Sequence, residues 1–318
     1  MDRRQLLKRG AFFTVAAATG ALAACGDSFE PSGTFQFAQG VASGDPRGTS
    51  LVFWTRCVRA DGGTADVAVQ LHASTRADFS DVVAHTSLVA GAAWDNTVRA
   101  KITGLPAATP LYYRFVAGTD ISAVGRSKTT PSASATVAQL KFGWFTCQDW
   151  SINHWGAMSL LAAEDLDFLV HVGDYVYETV GASFQVGAAE PAHTALALPD
   201  GTALGGAKYA TTLADYRYLY RTYRSDSRLR TLHQQWPLIA IRDDHVVSEA
   251  AIAQAQGHDP VNGSDSVGAR YFVQQPVLAQ FDALKTQGLG RPSSILGTAQ
   301  TQWWTDTISA STAMWSSR

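Results

Sequence analysis

Short apolar runs separated by turn signals fill residues 33–130. Apolar positions alternate or cluster at 50–54, 67–71 and 111–116, a spacing typical of half-buried β-strands. Turn-forming sequences such as Gly44-Asp45-Pro46 and Asp61-Gly62-Gly63 lie between the runs. The pattern predicts an all-β domain at 33–130, a small sandwich, followed by a linker rich in Ser, Ala and Pro at 131–138.

The hydrophobic period changes after residue 138. Apolar runs at 140–145, 168–172 and 238–241 predict buried strands, and 155–163 predicts a helix between the first two. Strands that alternate with helices favour a mostly parallel sheet, so residues 139–318 are predicted to form an α/β domain. Residues 179–210 are rich in Gly and Ala and predict a long loop over the site.

A second helix is predicted at 212–224. It carries Tyr216, Tyr218, Tyr220 and Tyr223, which helical spacing spreads around the cylinder. We therefore expect these tyrosines to contribute packing and surface rather than chemistry.

The composition is that of a folded globular protein. The chain has 318 residues, which is enough for about two domains. Of these residues, 46% are hydrophobic and 16% are charged. The formal net charge is only -2, so no long-range electrostatic attraction favours nucleic acid or an acidic membrane as partner.

Residues 1–25 have the features of an export signal. Arg3-Arg4 begins a twin-arginine pattern, and an uncharged Ala-rich stretch follows that is too short to span a bilayer well. Leu22-Ala23-Ala24-Cys25 has the form of a lipobox, which would make Cys25 a lipid-bearing first residue; plain signal cleavage nearby is the alternative. The sequence predicts twin-arginine export to the periplasm or cell envelope, with no transmembrane domain in the mature chain.

Cys57 and Cys147 are the two remaining cysteines. A disulfide between them is the simple expectation for an oxidising compartment, and it would fit a secreted binding protein. Their contexts argue against it, because Cys57 ends an apolar run whereas Cys147 follows a predicted strand beside other potential ligands.

Side chains that can bind metal follow each predicted strand of the α/β domain. Cys147, Asp174 and Tyr177 come after the first two strands, where open α/β sheets bind their ligands. A thiolate, a carboxylate and a phenolate are anionic donors that suit ferric iron better than magnesium. Asp244 is predicted to ligate or bridge metal, and His245 to donate a hydrogen bond or proton to a phosphoryl oxygen.

His171 is predicted to have a structural role. It lies inside an apolar run, where a hydrogen-bonded core histidine is the expected role rather than a metal ligand.

Several ordered motifs of the chain resemble one known family, the PhoD family of alkaline phosphatases and phosphodiesterases. The motifs are Gly40-Val41-Ala42-Ser43-Gly44-Asp45-Pro46, Phe53-Trp54-Thr55-Arg56, Cys147-Gln148, His171-Val172-Gly173-Asp174-Tyr175-Val176-Tyr177-Glu178, Tyr216-Arg217 with Tyr220-Arg221, and Asp243-Asp244-His245. The resemblance implies an immunoglobulin- or fibronectin-like sandwich followed by a calcineurin-like α/β metallophosphatase domain.

The resemblance also implies chemistry. It implies Fe3+ with Ca2+ and hydrolysis of phosphate mono- or diesters. By position, Cys147, Asp174 and Tyr177 would be iron ligands, with Asp174 also reaching calcium. Asp244 and His245 would take the place of the Asn-His pair of the wider superfamily.

Two departures from the family pattern affect the expected activity. Where relatives follow Asp-Asp-His with Glu and a nearby Asn, this chain has residues 246–250, VVSEA. Residues 300–315 resemble the helix that precedes a further Gly-Asp-x-His block, which does not follow here. These departures predict an incomplete metallophosphatase domain of doubtful activity. The alternative is a catalytically inactive envelope lipoprotein that binds through its β-sandwich.

Overall fold

The computed structural model describes residues 33–183, 185, 190–241, 245, 302 and 306, together with the backbone of 14–17. The first half contains strands and one short 3-10 helix (Ala92–Trp94). The strands are β1 (Thr14–Ala17), β2 (Phe35–Gln36), β3 (Val41–Gly44), β4 (Ser50–Arg56), β5 (Val58–Arg59), β6 (Val67–Ser74), β7 (Val82–Ala90), β8 (Thr97–Thr103), β9 (Pro110–Ala117), β10 (Asp120–Ile121) and β11 (Gly125–Lys128).

The predicted β-sandwich is confirmed. The antiparallel strands β3, β4 and β8 form one layer, and β10-β9-β6-β7, with β11 paired to β9, forms the other. Alternate side chains from both layers meet in one core, and Leu51, Phe53, Leu71 and Phe115 are fully buried in it. This alternation is what a sheet with one solvated face requires.

The second half alternates strands and helices. Its strands are β12 (Phe142–Phe145), β13 (Phe168–His171), β14 (Thr179–Val180), β15 (Thr202–Leu204), β16 (Ala207–Tyr209) and β17 (Leu238–Ala240), and its helices are α1 (Gly156–Ala163), α2 (Leu213–Tyr223) and α3 (Ser227–Gln235). β12, β13 and β17 are parallel, as predicted. Leu238 of β17 also pairs in parallel with Gly44 of β3, so the described sheet runs β1-β8-β4-β3-β17-β13-β12 across both halves.

Two expectations about the second half are wrong. β12 and β17 were expected to be buried strands, but Phe142, Trp144 and Ile239 are 50%, 65% and 40% exposed. β12 is the last strand of the described sheet, and no described element covers this face. Residues 179–210 were expected to be loop, but they contain the small antiparallel sheet β14-β16-β15.

The predicted helices form close to their expected ends. α2 begins after Thr212, whose hydroxyl accepts from the Asp215 N–H, while the Asp215 carboxylate accepts from the Thr212 N–H. This reciprocal capping box fixes the start of the helix. α2 then buries Leu219 and Tyr223 against the second core, which also contains Leu169.

Ion pairs connect the α/β part to the sandwich. Arg221 Nη1 lies 2.8 Å from Asp95 Oδ1, and Arg56 Nη2 from β4 lies 3.1 Å from the same oxygen. Asp95 itself has a left-handed backbone, φ 57°. Lys128 and Asp167 form a further ion pair between the two halves.

The junction between β3 and β17 requires glycine at residue 44. A Cβ there would lie 2.7 Å from the Leu238 carbonyl oxygen. We therefore expect Gly44→Ala to push the strands apart and lower the free energy of unfolding by roughly 1–3 kcal/mol, measured by urea denaturation. Gly156→Ala is the matched control, because nothing lies within 4 Å of a Cβ there and its effect should be neutral or slightly stabilising. Equal stabilities of the two variants would contradict the prediction.

None of the helices in the described residues is long and apolar enough to cross a bilayer.

Candidate metal centre

The loops that follow β12 and β13 are hydrogen-bonded to each other. Thr146 Oγ1 donates to the Gly173 carbonyl at 2.9 Å, and the Cys147 N–H donates to the same oxygen at 3.3 Å. Cys147 and Asp174 both have φ 54°, a left-handed conformation that costs an ordinary residue of order 1 kcal/mol. Such paired strain at the carboxyl ends of parallel strands is characteristic of functional sites.

Three predicted ligands meet at this point. Cys147 Sγ lies 3.6 Å from Asp174 Oδ2, and the Tyr177 hydroxyl lies 3.2 Å from the same oxygen. Asp174 and Tyr177 are buried, whereas Cys147 is exposed. The carboxylate thus stands at the centre of the set and the thiol at its solvent side.

The protonation of Tyr177 follows from this crowding. Burial raises the pKa of Tyr177, and the Asp174 carboxylate and the Cys147 thiol raise it further. The phenol therefore keeps its proton and donates a hydrogen bond to the Asp174 carboxylate. A cation among these groups would reverse the preference, because it stabilises all three anionic forms.

The donor set fits a ferric ion in kind. Among the described residues no group of three His, Cys, Asp or Glu side chains is placed to hold a metal ion. The set that is brought together instead has one thiol, one carboxylate and one phenol, and such soft and hard anionic donors suit a highly charged transition-metal ion.

His245 lies beside this set. Its Nδ1 is 2.9 Å from Glu178 Oε2, and its ring centre is 4.3 Å from that of Tyr177. This contact between the His245 ring and the Glu178 carboxyl group fixes the orientation of the ring. Glu178 was not predicted as a site residue, although it directly follows Tyr177 in the same motif. Asp244 lies outside the described residues, so its predicted role stays a prediction.

His171 occupies the core position that was predicted for it. It is fully buried, its Nδ1 accepts from the Gly173 N–H at 3.2 Å, and its ring packs against Phe145 and Tyr175. Burial lowers the pKa of His171 to about 4, so the ring is neutral.

Tyr223 joins the two segments that carry the site. Its buried hydroxyl accepts from the Trp150 N–H at 3.1 Å and from the Tyr177 N–H at 3.2 Å. Tyr223 was expected to contribute packing, and its buried ring does so. Its role in holding the site was missed, because no sequence signal distinguishes it from the other tyrosines of α2.

The segment 179–210 is held against the site by His193. The His193 ring stacks on Trp150 at 3.6 Å, its Nδ1 lies 3.0 Å from the Trp150 carbonyl, and its Nε2 lies 3.0 Å from Asp226 Oδ2. Arg228 Nη2 completes the group at 2.6 Å from Asp226 Oδ2. These contacts hold the segment next to the block that contains Cys147.

Asp226 makes this anchor sensitive to acid. Burial alone would raise the pKa of Asp226, but hydrogen bonds from Arg228, His193 and two backbone N–H groups outweigh it and hold the pKa at about 2, below the usual 3.8. A depressed folded pKa contributes stability that is present above about pH 4 and is lost as pH falls through about 2.

We expect Asp226→Asn, which keeps a good helix cap, to lose roughly 2 kcal/mol of stability at pH 7 and less at pH 2. Urea unfolding at several pH values measures the difference. An equal loss of stability at pH 7 and at pH 2 would contradict the prediction.

A groove of about 560 Å³ opens beside the candidate centre. Cys147 lies on its wall together with side chains of β12 and α1. The lining residues are Trp144, Phe145, Thr146, Cys147, Gln148, Asn153, His154, Trp155, Ala157, Met158, Leu160, Leu161 and Glu164.

Cys57 and Cys147 are both free, so the simple expectation of a disulfide between them is wrong and the prediction from their sequence contexts is confirmed. Cys57 is fully buried in the core of the sandwich. Burial, and to a smaller degree Asp120, raises the pKa of its thiol to about 12, so Cys57 is unreactive.

Comparison with known proteins gives consistent matches. The family model described as "PhoD-like phosphatase, N-terminal domain" matches residues 22–131, and the model described as "PhoD-like phosphatase" matches residues 142–271. Alkaline phosphatase D of Bacillus subtilis (strain 168) is 30% identical over 89% of this chain. The solved structure of PhoD superposes on 88% of the chain with a TM-score of 0.66 and 26% identity.

The chain spans only part of the length of these relatives. It covers 55% of the B. subtilis protein and 61% of the chain in the PhoD structure. The two matched regions lie in the same order as the two halves of the fold, and the candidate centre falls within the second region.

Proposed function

Because the chain belongs to the PhoD-like phosphatase family, we propose that it is a metal-dependent hydrolase of phosphate monoesters and diesters. The observation that carries the proposal is the meeting of Cys147, Asp174 and Tyr177 at the ends of two parallel strands. This place is where open α/β sheets bind ligands, and it lies in the region matched by the phosphatase model.

Cys147, Asp174 and Tyr177 would hold Fe3+, and Asp174 would also reach Ca2+. We propose Asp244 as a further ligand. Bound together, the two cations would neutralise the phosphoryl oxygens and lower the pKa of an attacking water. Tyr223 keeps the protein part of this centre in place, because it binds the backbone of both ligand-bearing segments.

His245 would act on the leaving group. Glu178 fixes the His245 ring through Nδ1 at 2.9 Å, so Nε2 is the nitrogen that can donate a hydrogen bond or a proton to the leaving oxygen. The buried Glu178 carboxylate also stabilises the charged imidazolium, the form that delivers the proton.

We further propose that the protein is exported by the twin-arginine route and is held at the cell envelope by a lipid on Cys25. The support is the sequence pattern of residues 1–25 alone. Mass spectrometry of the mature N-terminus tests the anchor, and an unmodified N-terminus downstream of Cys25 would refute it. The net charge of -2 gives no reason to expect nucleic acid as a partner.

The function is tested on the full chain purified with iron and calcium supplied. We expect bound iron, a visible absorption band from ferric thiolate or phenolate coordination, and hydrolysis of bis-p-nitrophenyl phosphate and p-nitrophenyl phosphate. Cys147→Ser should shift or remove the thiolate part of the band, whereas Cys57→Ser should leave it unchanged.

A colourless protein without iron or turnover would refute the enzymatic proposal for this chain. It would favour a catalytically inactive envelope protein that binds through its sandwich. Iron without turnover would keep the metal centre and reject the catalytic assignment.

A further inference from the structure

A cluster of side chains lies between the sandwich and the helices and contains none of the proposed metal ligands. It consists of Trp54, His171, Tyr175, Arg224 and His233, here called the Arg224 cluster. Arg224 Cζ lies 3.9 Å from the centre of the Trp54 ring, and Arg224 Nη1 lies 3.5 Å from the Tyr175 hydroxyl. That hydroxyl is 2.8 Å from His233 Nε2.

The hydrogen-bond directions in the cluster can be assigned. Arg224 can only donate, so the Tyr175 oxygen accepts from it and the Tyr175 O–H donates to His233 Nε2. Burial and the Arg224 charge hold the pKa of His233 well below its usual range, so the ring is neutral and its proton sits on Nδ1. His171 is also neutral, and since its Nδ1 accepts from Gly173, its proton sits on Nε2.

Donors without acceptors remain. His233 Nδ1, His171 Nε2, and Arg224 Nε and Nη2 are all inaccessible to solvent and have no hydrogen-bond partner among the described residues. His171 and His233 are 0% and 1% exposed. Buried donors are rarely left unpaired in native proteins, and a bound water or ion is one way in which such groups are paired.

The two unpaired Arg224 nitrogens are adjacent. Nε and Nη2 form one edge of the planar guanidinium, the fork that binds a single acceptor through two parallel hydrogen bonds. Neither nitrogen of this fork has a hydrogen-bond partner in the part of the chain that the structure describes, while Nη1 faces Tyr175. The geometry is that of one missing ligand rather than of scattered defects.

Arg224 also differs from the neighbouring arginines in its ion pairing within the described residues. Arg56, Arg221 and Arg228 each pair with a carboxylate, whereas no described carboxylate lies within ion-pair distance of Arg224. Arg224 is partly buried, and stacking of its guanidinium on Trp54 offsets only part of the cost of removing the charge from water. Water could satisfy the donors, but it would not balance the charge.

We propose that the Nε–Nη2 edge of Arg224 binds a small monovalent anion, a halide or a carboxylate, inside the protein. One negative charge neutralises the single guanidinium, whereas a phosphate dianion would leave an unpaired negative charge. By neutralising Arg224, the anion would strengthen the contact between Trp54 of the sandwich and Tyr175, the residue next to Asp174. The inference does not depend on the proposed hydrolysis, because its test measures stability and ion density.

Thermal unfolding of the full chain tests the site with bromide and formate as probes. Gluconate, which is too large for a buried site, serves as the reference anion at constant ionic strength. We expect Tm to rise by about 3 °C for each tenfold increase in bromide or formate above the Kd. A rise with one probe only would identify the site as a halide or a carboxylate site.

Variants separate this site from general salt effects. Arg224→Met removes the charge, so it should lose the anion dependence and be as stable as the parent in gluconate. Arg221→Gln, in the last turn of α2, is the matched control. It loses its pair with Asp95 and should be less stable in every buffer while it keeps the anion dependence.

Anomalous diffraction from crystals of the unsubstituted protein grown in bromide gives a second readout that needs no variant. We expect a bromide peak at the Nε–Nη2 edge of Arg224. Water density alone at that edge, or the same anion dependence in the parent and in Arg224→Met, would overturn the proposal.

Discussion

Asp174→Asn is expected to lower phosphoesterase activity by at least about 100-fold, more than the loss of an outer-shell contact costs, and to remove the bound iron. Asp174 Oδ2 is the atom that both Cys147 Sγ and the Tyr177 hydroxyl contact, so the neutral amide would remove the central negative charge of the set. Asparagine suits the test because it tolerates the left-handed backbone at φ 54°. Activity then falls without a backbone penalty.

The readouts of this test are turnover, iron per chain and the visible band, with circular dichroism to confirm the fold. Asp165→Asn is the matched control, because this carboxylate is 82% exposed and, among the described residues, pairs only with Arg126 at 3.7 Å. It should leave all three readouts unchanged. If Asp174→Asn retains its iron and its turnover, the metal centre must be reassigned to other residues.

Tyr223→Phe is expected to lower the free energy of unfolding by roughly 2–6 kcal/mol, since about 1–3 kcal/mol is lost for each buried donor left unsatisfied. The variant leaves the N–H groups of Trp150 and Tyr177 without an acceptor, because both donate to the Tyr223 hydroxyl. Tyr223 is fully buried, so solvent cannot replace the lost oxygen. This loss would be a large fraction of the stability of a typical domain.

Urea unfolding followed by tryptophan fluorescence measures this effect. Tyr218→Phe is the matched control on the same helix, because its hydroxyl accepts a single exposed hydrogen bond from the Ala197 N–H at 2.9 Å. Water can replace that bond, so the control should change stability by less than about 1 kcal/mol. The proposed role of Tyr223 fails if the two variants are equally stable.

The hydrophobic pattern located most elements because local rules govern them. The runs at 50–54, 67–71 and 111–116 lie within β4, β6 and β9, and the expected helix at 212–224 forms as Leu213–Tyr223 between its own caps. The pattern did not predict which faces would be covered. The pattern predicted that β12 and β17 would be buried, yet Trp144 of β12 is 65% exposed. Burial depends on what packs against a strand and not on the strand itself.

The candidate ligands were predicted from position in the chain. Cys147, Asp174 and Tyr177 each follow a strand, and parallel strands bring their carboxyl ends to one edge. The groups that support them were not predicted. Tyr223 reaches Trp150 across 73 residues, and His245 reaches Glu178 across 67. Nothing in the local sequence marks such partners.

The sequence by itself determined the order of the two halves, the strand and helix periods, and the residue types able to bind metal, because these follow from local periodicity and from donor chemistry. Only the tertiary structure decided how one sheet joins both halves through Leu238 and Gly44 and which hydroxyl holds the site. It also decided that Arg224, the residue that follows α2, has no carboxylate partner among the described residues, whereas Arg221 in the last turn of α2 has one. Such features depend on distances between residues far apart in the chain, and those distances exist only once the chain is folded.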